Sequence, residues 1–184
     1  MVATVKFMGL DLSLTSTGYA CGGDMDTIAV AEKGAERLTS IRDAVMLACR
    51  EHRPDVVILE GYSFASRNSQ AHSIGELGGV VRVALHEECI PVVIVPPSSR
   101  AKFATGRGNA SKMEVVSAVS AKTGLVWTGK GADDICDAWI LEQMGLAQFE
   151  ISEYSWPKQN MAALAAVDWS HAIRKVESTN ELQN

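Results

Sequence analysis

Apolar residues gather in three short stretches at the start of the chain. Val5 to Leu14 is rich in β-branched and large apolar residues, and Gly18-Tyr19-Ala20-Cys21 runs into a Gly22-Gly23-Asp24 turn. Thr27 to Ala31 follows as a third run, so the pattern predicts an antiparallel meander. The period then changes. Leu38, Ile41, Val45 and Ala48 recur at three- and four-residue steps and predict an amphipathic helix from about Ala35 to His52, ended by Pro54. Asp55-Val56-Val57-Ile58-Leu59-Glu60 is a nearly unbroken apolar run, as expected of a strand buried on both faces. A second helix carries Ile74, Leu77, Val81 and Ala84 on one stripe, and Pro91 to Val95 supplies another buried strand closed by Pro96-Pro97. Two further helices are predicted, from about Ser111 to Lys122 and from about Asp133 to Ala147. The order βββ-α-β-α-β-α-α specifies an α/β layer around a mixed sheet, three antiparallel strands followed by parallel ones.

Past Phe149 the pattern weakens. Trp156-Pro157 breaks the chain, Met161 to Val176 fits one last helix with Leu164, Val167 and Ile173 inward, and the polar end is expected to fray. The expected division is a main domain over 1–149 and a helical appendage over 150–184. At 184 residues, 47% hydrophobic and 21% charged, the chain has the composition of a folded globular protein. No stretch reaches the roughly 18 uncharged apolar residues of a membrane span, and the N-terminal segment lacks a cleavage-type ending, so a soluble, cytoplasmic protein without membrane association is expected. Cys21, Cys49, Cys89 and Cys136 are widely spaced and in apolar or small-residue settings, the pattern of reduced core thiols.

Chemistry enters through acids where a core would reject them. Asp11 interrupts the first strand and shares a face with the small Gly9 and Ser13. Glu60 closes the fourth strand, expected beside the first. Asp134 and Asp137, three apart at the start of the last main helix, project from one side of it. Blander readings exist: Asp133 or Asp134 as an N-cap, Glu60 as a solvated strand end. Asp11 resists one, because a buried carboxylate needs a partner and no Lys or Arg lies nearby in sequence. Two like charges about 4 Å apart cost on the order of 4 kcal/mol at an effective dielectric of 20, so several such pairs rival a domain's whole stability of about 5 to 15 kcal/mol. If the four acids meet, protons or cations must offset that cost. An all-oxygen donor set selects Mg²⁺ or Mn²⁺ over zinc, and a pair of such ions suits phosphodiester hydrolysis.

The net charge of −5 argues against a nucleic-acid partner, but the distribution does not. Between Pro96 and Lys130 the chain places Arg100, Lys102, Arg107, Lys112, Lys122 and Lys130 against a single acid, Glu114. A solvated basic loop is the simple reading; a surface that tracks phosphates beside the acids is the functional one. Ser111-x-x-Glu114 fits a capping box, which puts Lys112 in a first helical turn, where a cation is disfavoured unless an anion is bound there.

Gly9-Leu10-Asp11-Leu12-Ser13-Leu14-Thr15-Ser16-Thr17-Gly18-Tyr19, then Val57-Ile58-Leu59-Glu60, then Gly106-Arg107-Gly108-Asn109-Ala110-Ser111-Lys112, and finally Asp134-Ile135-Cys136-Asp137-Ala138 resemble the successive motifs of RuvC-type Holliday-junction resolvases. The resemblance runs in order from residue 5 to about 148. It implies an RNase H-like fold, a homodimer, and Mg²⁺-dependent nicking of two strands of four-way branched DNA, in recombination and repair. It also makes Asp11, Glu60, Asp134 and Asp137 the catalytic, metal-binding set for two ions, with Mn²⁺ able to substitute. Phe64, or Tyr62, stands where the family places an aromatic at the junction centre, with core packing as the alternative for either. Arg67 in the same segment and Arg100, Lys102, Arg107 and Lys112 are the other DNA-contact candidates. The lysine expected ahead of the Gly-x-Gly loop is displaced, which leaves Lys102 or Arg100 to take its place. Ile74 to Val80 resembles the family's small-residue interface helix. The tail after Phe149 has no matching counterpart, and a helicase partner is not specified by any residue. Rival classes are a less selective branch nuclease or RNase H, and a junction-binding protein without catalysis; an actin-like ATPase needs two such domains, and the chain has room for one.

Overall fold

The computed structural model describes residues 5–61 and 69–181. Five strands form one sheet in the order β3-β2-β1-β4-β5: β1 (Phe7–Asp11), β2 (Thr17–Cys21), β3 (Asp24–Ile28), β4 (Val56–Glu60) and β5 (Val92–Val95). β1 pairs antiparallel with β2 and parallel with β4, so the change from hairpins to crossovers falls at the central strand, as the sequence pattern predicts. β3 is Asp24–Ile28, three residues earlier than its apolar run suggests, because the two-residue Gly22-Gly23 turn feeds directly into it; both glycines have positive φ.

Strand alternation divides the core. Met8, Leu10, Val57 and Leu59 face α1 (Gly34–His52) and α2 (Ser69–Glu87), packing on Ile41, Val45, Leu77 and Val81. Phe7, Ala20, Val56, Ile58, Val93 and Val95 face the opposite layer, which is built on α5 (Ala132–Gln148). Between β5 and α5 lie α3 (Pro97–Thr105) and α4 (Lys112–Thr123). α4 has the predicted capping box: the Glu114 N–H donates to the Ser111 hydroxyl, and the Ser111 N–H donates back to Glu114 Oε2 at 2.7 Å. α3 was not legible as a helix, since Pro96-Pro97 marks the end of a strand. The same dipeptide also starts a helix, with Pro97 in the first turn and Gly106 closing it at φ 83°.

Two glycines let α5 lie directly on the sheet. A β-carbon on Gly9 would stand 1.9 Å from the Ala138 carbonyl oxygen, and one on Gly18 would stand 2.2 Å from that of Asp134. Backbone therefore packs on backbone at the two points that set the height of the acidic turn of α5 above β1.

The tail joins the same core. Trp156, Ala163, Leu164, Val167, Trp169 and Ala172 are buried in the α5-side cluster. Its helix is broken where one continuous helix was expected: α6 spans Lys158–Met161, a 3₁₀ turn covers Leu164–Ala166, and α7 spans Ser170–Glu181. The break has a local cause, because Asp168 Oδ1 accepts from the Ser170 N–H at 3.0 Å and starts α7 afresh. Leu164 and Val167 are buried as expected, whereas Ile173 is exposed. All four cysteines are free; three are buried, but Cys89, in the turn after α2, is exposed rather than in the core. None of the described helices is long and apolar enough to cross a membrane.

Further along α5, Glu142 is buried beside a cavity of about 490 Å³ that Phe7, Met25, Trp139 and Tyr154 also line. One carboxylate oxygen accepts from the Gly22 N–H at 2.5 Å. Burial outweighs that bond and lifts the carboxyl to about 7, from an ordinary 4.5. The folded state thus holds this proton more tightly than the unfolded chain does. Its contribution to stability is present below about pH 4.5 and is lost as pH rises to about 7. Glu142→Gln keeps an acceptor for Gly22 without the titration. Unfolding free energies from denaturant titrations at pH 4.5 to 8 are expected to rise for the variant relative to the wild type, the difference levelling above pH 7 at about 3 kcal/mol.

Candidate active site

Asp11 ends β1 and Glu60 ends β4. Leu10 is in register with Leu59, so the two acids follow on neighbouring strands at one end of the sheet. Alternation turns them to the α5 face, where Asp134 and Asp137 come down from the first turns of the helix. Asp11 is 9% exposed and Asp137 2%. Burial raises the Asp11 carboxyl well above the usual carboxylate range, and Glu60 and Asp137 push it the same way. Burial also lifts Asp137 to about 7, against the opposing pull of Arg100. Glu60, Asp137 and Asp134 all act on the Asp11 carboxyl, so the four acids from three elements lie near one another at this end of the sheet.

They meet a cation that the sequence places far away. Arg100, on α3, donates from Nε to Glu60 Oε1 at 2.5 Å and from Nη1 to Asp137 Oδ1. Its side chain is 9% exposed. The expectation that Arg100 contacts phosphate is therefore corrected: its guanidinium faces inward and is spent on two carboxylates. Linear neighbourhood hid this pairing, because α3 folds back over the end of β4 only after the β4-α2-β5 crossover. Glu60 is likewise not a solvated strand end.

The basic rim is laid out by α3 and α4. Lys112 Nζ donates to Asp133 Oδ2 at 2.8 Å and lies 3.7 Å from Asp134 Oδ1. The anion that its place in a first turn calls for is supplied by the start of α5. This bond holds Asp133 below the usual carboxylate range. Neither Asp133 nor Asp134 caps α5, whose N-cap is Gly131 in the left-handed region. Arg107 is exposed and donates to Glu114 Oε1 at 2.6 Å, while Lys102, in the last turn of α3, is half-buried. Hydrogen bonds from the Ser111 backbone and hydroxyl, and then Arg107, bring the Glu114 carboxyl down to about 2. Tyr62, Phe64 and Arg67 lie outside the described residues.

The donor chemistry fits a hard divalent cation: four carboxylates, two of them desolvated and disfavouring their own charge, at one end of the sheet. With Arg100 between Glu60 and Asp137, no three acidic, histidine or cysteine side chains among the described residues surround a common point. The oxygens are the right ones, and Arg100 already holds two of the groups.

A mixed β3-β2-β1-β4-β5 sheet flanked by helices, with an acid on its central strand and acids on the helix across it, is the arrangement of an RNase H-like domain. A family model described as crossover junction endodeoxyribonuclease RuvC matches residues 7–141. The RuvC protein of Nocardia farcinica is 31% identical over 172 residues, covering 81% of this chain and 90% of its own. That of Rhodococcus opacus is 30% identical over 186 residues, covering 89% and 97%. Thermus thermophilus RuvC, solved in complex with a Holliday junction substrate, superposes with a TM-score of 0.64 at 23% identity, over 83% of this chain and all of that one. The yeast mitochondrial Holliday junction resolvase Ydc2 superposes with a TM-score of 0.55 at 11% identity, covering 97% and 83%; at these identities the two structures speak for the fold. The chain belongs to the RuvC family of crossover junction endodeoxyribonucleases, which are metal-dependent nucleases.

Proposed function

We propose that this chain, as a homodimer, resolves four-way DNA junctions by hydrolysing one phosphodiester bond in each of two opposed strands. Asp11, Glu60, Asp134 and Asp137 would hold two divalent ions, Mg²⁺ by preference and Mn²⁺ as a substitute. The observation that carries the reading is the burial of Asp11 and Asp137 together, next to Glu60, on a family-matching fold. When bound, the ions supply Lewis-acid stabilisation of the charge that develops on the phosphate.

The chain's own side chains supply placement. Asp11, central in the sheet, has acids on both sides of it, from β4 and from α5, and is suited to serve both ions. Asp134 is held near Lys112, whose exposed ammonium group is the point of the rim closest to the acids and suited to a DNA phosphate. Lys102 and Arg107 extend that rim along α3 and the Gly106-Arg107-Gly108 turn. A junction has approximate two-fold symmetry, so an isologous dimer presents one centre to each of two opposed strands. On α2, positions Gly75 and Gly79 have open space where a β-carbon would stand, which supports close approach of a second copy there.

Cleavage of labelled four-way, three-way, flap and RNA–DNA hybrid substrates by one preparation tests the reading. Paired nicks in the four-way junction, dependent on Mg²⁺ and abolished by chelator, are expected. Preferred cleavage of the hybrid or the flap contradicts it.

A further inference from the structure

The proposed function leaves Arg100 without a role. A guanidinium has a fixed fork of donors and stays charged at any pH the fold survives. Here the fork spans two elements: Nε engages Glu60 at the end of β4, and Nη1 engages Asp137 on α5. Both carboxylates are among the proposed metal ligands. The segment that carries Arg100 is pinned, since Asn160 Nδ2 donates to the Phe103 carbonyl at 2.7 Å and Gln159 Nε2 donates to that of Gly106 at 3.1 Å. Any release of the pair is therefore a rotation of one side chain, with α3 staying in place.

We propose that Arg100 is the resident counter-ion of the acidic centre and competes with a divalent ion for Glu60 and Asp137. Before metal arrives, its charge holds the end of β4 against α5 and offsets the repulsion among acids that have little water around them. Ligation by Glu60 and Asp137 requires the guanidinium to leave their oxygens. Whatever draws Arg100 off the carboxylates vacates their oxygens for the ion. This inference rests on the proposed metal site and adds a gate to it. The alternative role is a permanent strut, in which Arg100 stays and helps to shape the site around the ion.

Mn²⁺ binding to the full-length protein without DNA, followed by electron paramagnetic resonance, separates the two, with thermal melting of the same samples. For Arg100→Gln, competition predicts Mn²⁺ bound at least about tenfold more tightly than by the wild type. It also predicts a metal-free form that melts lower and a Mn²⁺-loaded form that melts close to the loaded wild type. Arg100→Lys, which keeps the charge, is expected to stay near the wild type in both measurements. Unchanged or weaker Mn²⁺ binding by Arg100→Gln, in a protein whose Asp11→Asn variant loses the ion, overturns the gate and leaves the metal site standing. Absence of Mn²⁺ binding by both the wild type and Arg100→Gln overturns the metal site and the gate together.

Discussion

Asp11→Asn is expected to lose junction cleavage by about a thousandfold or more, while junction binding changes by no more than about threefold. The substitution keeps the shape of the side chain and removes the one carboxylate that sits between the acids of β4 and α5. Single-turnover cleavage in Mg²⁺ reads the first effect, and equilibrium binding in chelator reads the second. A further consequence follows from the burial of this group. Asp11 is desolvated beside Glu60 and Asp137, and its carboxyl is held well above its ordinary range. At neutral pH, above the range in which the unfolded chain's carboxyl titrates, this group therefore lowers the stability of the metal-free protein. Asp11→Asn should melt higher than the wild type without metal, and it should gain less from added Mg²⁺. An inactive variant that melts lower would mean that the carboxylate is structural.

Gly9→Ala carries the largest expected loss of stability, about 3 to 5 kcal/mol, or a fall in melting temperature on the order of 10 °C. One methyl group meets the Ala138 carbonyl at 1.9 Å and the Glu142 nitrogen at 2.6 Å, and both obstacles are backbone. The strand and helix must separate, which moves Asp137 away from Asp11. Any folded fraction should accordingly cleave junctions poorly while its far-ultraviolet spectrum stays close to that of the wild type. A melting temperature within about 2 °C of wild type would show that β1 and α5 are not in direct backbone contact.

The sheet was legible because its cues are local: alternation and turn glycines mark the meander, and the apolar runs ended by Glu60 and Pro96 mark the parallel strands. Asp11, Asp134 and Asp137 were legible as a group because a carboxylate in an apolar strand, and two acids one helical turn apart, are costly unless they share a purpose. The capping box at Ser111 and Glu114 was legible for the same reason, being settled by four consecutive residues. What failed to show were pairings made by the crossovers. Arg100 lies 40 residues from Glu60 and 37 from Asp137, in a segment rich in other basic residues, so its composition suggested phosphate contact. Pro97 and Gly106 bound α3, but Pro96-Pro97 marks the end of β5 as readily as the start of a helix, and nothing short of three dimensions shows which side of that helix is buried. Glu142 escaped for the opposite reason. It sits between Leu141 and Gln143, and the close seat of β1 on α5 takes it out of water.

Anomalous scattering from crystals grown with Mn²⁺ addresses the central claim without relying on catalysis. The account predicts a peak at the end of the sheet, with oxygens of Asp11 and of Asp137 or Glu60 at about 2.0 to 2.2 Å and the Arg100 guanidinium turned off those carboxylates. A structure with Arg100 still bridging Glu60 and Asp137, and no manganese beside Asp11, would contradict it.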